Sequence, residues 1–405
     1  MNRNSSLKLN EYVAHDKFKV SFILSLLVTI ILILIDRLYE NGLMDVTIRI
    51  TLELQKYNLF WVATFFSYIL FFFLYGYIFF AMTLRRNQES NYTLLFGVLF
   101  LFYIQALMKM VLLGSRPIFN HPVIQQEHCI CDYGKPSGHG IIGLGTMLLI
   151  YFDIINNHKV SELGKFFMKL VIAVFTFMIA VSRLYLGAHS INQVFLGWSI
   201  GLTCFFGLRQ LNDYIQKYII WPIFYKTSFR NKRAIFHVLF HFMWTNYLLF
   251  FAWTYRYTTF EKADNEFFNF KNCVYCVENM GQNFSTKIIK EASIFNLFFG
   301  MMIGIYISRF KHFDHAGFYA EEDFGKYVLR VMILALMMSP LVIGFIIHID
   351  NVILKFLRVF ILCIICGILM TSTFFDLLKM FDLEIHEKEE LKEKDDSGLT
   401  VVDYS

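Results

Sequence analysis

Along most of this chain apolar residues run in long blocks separated by short polar stretches. The blocks reach about 17–25 residues, the length a helix needs to cross ~30 Å of hydrocarbon. Hydropathy assigns about ten spans, at residues 20–35, 59–83, 93–113, 139–155, 166–186, 191–208, 234–253, 293–308, 331–348 and 359–375. The pattern predicts an all-α, polytopic transmembrane helical bundle.

Two stretches break the pattern. "YIIWPIFY" at 218–225 is too short to cross and carries Pro222, so it is expected at the interface. "DVTIRITLELQ" at 45–55 alternates strictly, with Val46, Ile48, Ile50, Leu52 and Leu54 all apolar. Period two alone indicates a strand. No partner strand is visible, however, and open sheet edges are excluded from lipid. A short interfacial helix is expected there instead.

The organisation that follows has five parts. Residues 1–17 form a polar cytoplasmic tail, and 18–208 a compact core of six spans whose first acts as a signal anchor. Residues 209–233 form a basic cytoplasmic linker, 234–376 carry four further spans, and 377–405 form a charged tail.

Composition fits a membrane protein: 57% of the 405 residues are hydrophobic, only 17% are charged, and the mean hydropathy is +0.51. A soluble domain of this size would carry about a quarter charged residues. The net charge is +5. Basic runs at 85–86, 156–165 and 226–233 fall on one side of an alternating topology, which the positive-inside rule makes cytoplasmic together with both termini. Cys129, Cys131, Cys273 and Cys276 then lie on the opposite, disulfide-permissive side. Their spacing lacks matching histidines for zinc. Asn283 heads a glycosylation sequon on that side, and the sequon at Asn91 is expected to stay unused. His237 with His241, and "HFDH" at 312–315, lack a third ligand and are read as packed or interfacial histidines.

Against this oily background one run stands out, "CDYGKPSGHG" at 131–140. It opens the fourth span with Ser137 as N-cap and Gly138 and His139 in the first turn, an N-terminus suited to an anion. The third span ends "KMVLLGSRP", with Lys109 and Arg116 seven residues apart, two helical turns on one face. Gly114 and Pro117 mark where that helix stops. The fifth span ends "SRLYLGAH", placing Arg183 near the helix end and His189 in the turn, and Gln193 follows one turn into the sixth. Three cations, a helix N-terminus and two imidazoles thus meet at one membrane face.

Charged groups beside spans are costly and usually functional. The ligand that asks for this set is a phosphoryl dianion, held by Lys, Arg and backbone N–H groups without a metal. Of two histidines with ordinary pKa values near ~6.5, one can attack phosphorus while the other protonates the departing oxygen. The amide oxygen of Gln193, four residues on from His189, is placed to hold the attacking ring.

"KMVLLGSRP", "KPSGHG" and "SRLYLGAHSINQ" resemble, in order, the three motifs of the type 2 phosphatidic acid phosphatase (PAP2) superfamily, K-x6-R-P, P-S-G-H and S-R-x5-H-x3-D. That superfamily includes lipid phosphate phosphatases, sphingosine-phosphate phosphatases, glucose-6-phosphatases and vanadium haloperoxidases. The resemblance covers residues 59–208 and implies a six-helix core. It makes His189 the nucleophile that becomes phosphohistidine and His139 the general acid. Lys109, Arg116, Ser137, Gly138 and Arg183 become phosphate ligands. Gln193 departs from the usual Asp and is similar to glucose-6-phosphatases at that position.

The expected function is a metal-independent phosphomonoesterase with its site facing the lumen of the endoplasmic reticulum or another endomembrane. Its partners are a phosphorylated lipid, or alternatively a small phosphomonoester such as a sugar phosphate, and the surrounding membrane lipids. No cofactor, metal or nucleic acid is expected. Phosphotransfer to a lipid acceptor, and a non-catalytic scaffold or transporter of the same fold, are the remaining alternatives.

Overall fold

The computed structural model describes residues 3–69, 71–72, 74–78, 88–121, 123–124, 132–220, 236, 239–240, 242–244, 246–251, 254, 291–310, 324–346, 352–373, 377 and 380–381. The long helices are α1 (Arg3–Gln55), α2 (Gln88–Leu112), α3 (Gly138–Asn157), α4 (Glu162–Tyr185), α5 (Ile191–Gln210), α6 (Asn296–Phe310), α7 (Phe324–Ile346) and α8 (Val352–Thr371). No strand occurs among the described residues. Among the described residues, five helical stretches are long and apolar enough to cross a membrane, and shorter apolar helices overlap three of the four expected C-terminal spans. Cys129, Cys131, Cys273, Cys276, His237, His241, Asn283 and the "HFDH" run lie outside the described residues.

The first helix departs from expectation in two ways. It begins at Arg3, so residues 3–17 continue the first span as helix. It also runs 53 residues, about 80 Å at 1.5 Å per residue, far more than one crossing. A kink at Tyr39 (φ −124°, ψ 17°) divides it. The limb beyond the kink contains the alternating 45–55 stretch, so that stretch is helical but not a separate helix. Its buried face is Met44, Thr47, Ile48 and Thr51, spaced three and four apart, whereas Val46 and Ile50 are exposed. The period-two pattern therefore came from apolar residues on both faces of a helix. Polar side chains fasten this limb over the ends of α4 and α5. Thr51 donates to Leu184 O (2.8 Å), Gln55 Nε2 to Tyr185 O (2.8 Å), and Thr47 Oγ1 accepts from Ile191 N (3.1 Å).

Helices α3 and α5 set the geometry of the core. Both start at the same end of the bundle and cross where neither has side-chain bulk. A Cβ at Gly197 would lie 2.6 Å from Ser137 O, and one at Gly201 2.9 Å from Ile141 O. This close approach lets Ser137 N donate to Gln193 O (3.0 Å), which ties the start of α3 to the first turn of α5. At the opposite end the buried carboxylate of Asp153 accepts from Tyr77 Oη and Ser90 Oγ (both 2.8 Å). The sequon residue Asn91 is buried on α2.

Gly201→Val is expected to force α3 and α5 apart at a cost of about 1–3 kcal/mol, read as a lower midpoint of thermal unfolding in detergent. Gly42→Ala, on the exposed side of α1 with nothing within 4 Å of a new Cβ, should instead hold or raise the midpoint through helix propensity.

Candidate active site

The end of the bundle where α2 and α4 finish and α3 and α5 begin gathers all eight residues expected at the site. Lys109 lies in the last turn of α2 and Arg183 in the last turn of α4. Ser137 caps α3, accepting from Gly140 N (3.3 Å), and Gly138 and His139 follow. His189 occupies the turn before α5, and Gln193 sits in its first turn. All but His139 are buried.

Arg116 reaches the site by a different route from the one its spacing indicated. Helix α2 ends at Leu112, and Leu113 and Gly114 turn the chain through positive φ (54° and 132°). Arg116 is extended (φ −93°, ψ 150°) and caps a short helix at Pro117–Asn120. It does not share a helix face with Lys109. The two meet because both pair with one carboxylate, that of Asp132: Lys109 Nζ at 2.6 Å from Oδ2, and Arg116 Nη2 on Oδ1. Arg116 also donates to Asp132 O (3.0 Å), Tyr133 O (3.2 Å) and Ala188 O. Asp132 was missed although it stands inside the conspicuous "CDYGKPSGHG" run. The signal for it was the need of buried cations for a counter-charge.

A second correction concerns the orientation of His189. Its Nδ1 lies 2.7 Å from Gly134 O. A carbonyl oxygen only accepts, so Nδ1 carries the proton and Nε2 bears the lone pair. Nε2 faces Arg116 Nη1 at 3.4 Å. Gln193 does not hold this ring. Its Oε1 accepts from Ser190 N (3.2 Å) and its Nε2 donates to Ser115 O (2.7 Å). Being at i+4 on a helix that starts after His189, Gln193 points across to the 113–116 turn instead. It acts on His189 only through the loop: a Cβ at Gly134 would lie 2.7 Å from Gln193 Oε1, so glycine alone fits between the amide and the carbonyl that grips the imidazole.

The surroundings also shift the titration of His189. Burial, then the charges of Arg116, Arg183 and Lys109 and the nearby His139, hold its pKa well below the ordinary histidine value. The ring is neutral, with a lone pair available, far into the acid range. The unperturbed value near ~6.5 expected for this group does not apply.

His139 and Arg183 share a partner that periodicity did not single out, Ser67, in a π-helical turn over Phe65–Ile69. His139 Nε2 donates to Ser67 O (3.2 Å) and Arg183 Nη1 to Ser67 Oγ (3.1 Å). Ser67 Oγ lies 3.0 Å from Ser182 Oγ. The small hydroxyl of Ser67 within the apolar run "ATFFSYILFFF" was the signal available for it. Phe71 stands edge-on to the His139 ring, with centroids 5.1 Å apart. Arg183 is 1% exposed, yet its Nε and Nη2 have no hydrogen-bond partner among the described residues. Lys135, which the motif reading left without a role, is buried and pairs with Asp36 (2.6 Å) and Glu40 (2.7 Å) on α1. Asp36 also accepts from Asn192. No cluster of three or more metal-ligating side chains occurs among the described residues.

The same part of the chain stands out in comparison with known proteins. Residues 90–217 match the family model of the PAP2 superfamily. A curated relative, phosphatidylglycerophosphatase B of Bacillus subtilis (strain 168), is 25% identical over 103 residues, 25% of this chain and 48% of that protein. The chain thus spans about half the length of the relative it matches. No solved structure matches. The residues matched to the PAP2 superfamily model, 90–217, include Lys109, Arg116, Ser137, Gly138, His139, Arg183, His189 and Gln193.

Proposed function

We propose that this protein is an integral-membrane phosphatase that cleaves a phosphomonoester, most naturally of a lipid, through a phosphohistidine on His189. The observation that carries the reading is the buried Arg183, with two nitrogens lacking partners among the described residues, beside a neutral His189 whose lone pair is on Nε2. Leaving a buried guanidinium short of acceptors is costly. An anion with several oxygens, bound between these groups, removes that cost. The similarity to phosphatidylglycerophosphatase B and the place of the site at the helix ends, where headgroups lie, support a lipid phosphate over a soluble one.

In the proposed reaction the phosphoryl oxygens lie against Arg183 and the backbone N–H groups at the start of α3, with Lys109 and Arg116 adding positive potential. His189 Nε2 forms a bond to phosphorus as the bond to the ester oxygen breaks. That oxygen leaves with a proton from His139. Because His139 Nε2–H is engaged by Ser67 O, the proton comes from Nδ1, and the step calls for the ring protonated on both nitrogens. The bond of Gly134 O to Nδ1–H stabilises the positive charge that develops on His189. A water then attacks phosphorus, giving its proton back to His139, and inorganic phosphate leaves. No step calls on a metal. The positive-inside distribution supports a lumenal placement of this face in an endomembrane, the endoplasmic reticulum being the natural case.

The covalent step is tested by trapping. Purified protein quenched in alkali after mixing with radiolabelled substrate should retain label that is base-stable and acid-labile, on the peptide containing residue 189. His189→Ala should lose both label and turnover, by about a thousandfold or more. His139→Ala should depress alkyl phosphates far more than aryl phosphates, whose leaving oxygen needs little help. Equal losses on the two classes would remove the assigned acid role.

The low pKa of His189 fixes a sign for the pH profile. A depressed pKa means the nucleophile is protonated only well below the ordinary histidine range. The acid limb of kcat/KM, which reports the free enzyme, should therefore fall below pH ~6.5. A limb due to His189 at or above that pH would mean that the buried cations do not act on it as described.

A further inference from the structure

Among the described residues, the C-terminal part of the chain brings a charged side chain, Glu291, to this face. Glu291 lies in the helical stretch that leads into α6, and its Oε2 accepts a 3.1 Å hydrogen bond from Gln105 Nε2. Gln105 is one turn before Lys109 on α2 and 4% exposed. Its amide fills the space beside Gly138, where a Cβ would lie 2.8 Å from Gln105 Cδ and Nε2. Glu291 is also within electrostatic reach of Tyr75, whose ring neighbours Phe71 (6.1 Å), the same ring that stands against His139. A carboxylate is thereby pinned on the flank of the Ser137–Gly138–His139 turn.

The charges already counted at the site leave little surplus. Asp132 takes Lys109 and Arg116, and Asp36 and Glu40 take Lys135. Arg183 and the N-terminus of α3 remain to meet one phosphoryl dianion. A second anionic group on the same molecule, approaching along α6, would come against Glu291.

We infer that Glu291 is a specificity-determining residue that selects phosphomonoesters whose remaining headgroup is neutral or cationic and disfavours substrates bearing a further phosphate. The inference rests on the phosphatase reading above and gives the C-terminal spans a part in it. The negative charge discriminates, and the bond to Gln105 keeps it in place.

The test compares substrates of matched hydrocarbon chain length in mixed micelles. Phosphatidic acid carries one phosphomonoester, phosphatidylglycerophosphate adds a phosphodiester, and a long-chain amine phosphate adds an ammonium group. The full-length protein should give its lowest kcat/KM on phosphatidylglycerophosphate. Glu291→Gln keeps an oxygen for Gln105 but removes the charge. It should raise kcat/KM for phosphatidylglycerophosphate relative to phosphatidic acid by roughly fivefold to tenfold, and lower that for the amine phosphate relative to phosphatidic acid. A purely structural role would move all three substrates together and leave the ratios alone. Unchanged ratios in Glu291→Gln overturn the inference while the phosphatase reading stands. Absence of phosphate release from every substrate by the parent protein overturns both. Should Glu291→Gln fold poorly, the parent protein's ratios between the phosphatidylglycerophosphate and amine substrates at low and high salt give a second reading. Salt should narrow the difference, and an unaltered difference would refute the electrostatic account.

Discussion

The site depends first on the pairing of both Lys109 and Arg116 with the single carboxylate of Asp132. All three side chains are at most a few per cent exposed. Charges withdrawn from water to that extent are tolerable only when paired and hydrogen-bonded, and removing one partner of such a set costs about 3–5 kcal/mol. The pairing therefore fixes more than two lysine and arginine nitrogens. It draws the 113–116 turn onto the 132–135 strip, and Arg116, with further bonds to Tyr133 O and Ala188 O, ties both to the turn that carries His189.

Around that centre the work is divided by length scale. Helix ends deliver the groups to one level of the bundle. The glycine crossing of α3 and α5 brings the Ser137 turn and the first turn of α5 to hydrogen-bonding distance. Backbone groups then set the finer geometry: Gly134 O selects the tautomer of His189, and Ser67 O orients His139. Fixing rings on main-chain carbonyls suits a site in which the remaining side chains are committed to cations. Gln193, where the third motif usually has a carboxylate, bonds the loop and not the ring.

The long first helix and the C-terminal spans extend the site without supplying the reacting groups. Beyond its kink α1 lies over the ends of α4 and α5, and Asp36 and Glu40 hold Lys135 from that side. Glu291 approaches the start of α3 from the C-terminal helices. Residues 90–217, the part that matches the PAP2 superfamily model, thus stand between an acidic contact from each flank.

Much was determined by sequence alone. Blocks of apolar residues of membrane length can be satisfied in lipid only as helices, which gave the all-α class and the helix ends at which Lys109, Ser137, Arg183 and His189 stand. The three motifs named the residues because their order and spacing survive in one dimension. Tertiary structure decided what depends on contacts between distant segments or on backbone atoms that every residue possesses. The alternation at 45–55 led to a short separate helix, whereas the stretch continues the first helix beyond the kink at Tyr39, and the fastening of Thr47 and Thr51 decided which face is buried. Spacing put Lys109 and Arg116 on one helix, but Leu113 and Gly114 end that helix early and a carboxylate from another segment joins them. Proximity in sequence gave His189 to Gln193, whereas the chain's own path through Gly134 gave it a carbonyl. A main-chain oxygen carries no signature in sequence, and which one meets an imidazole is decided only when the helices have crossed.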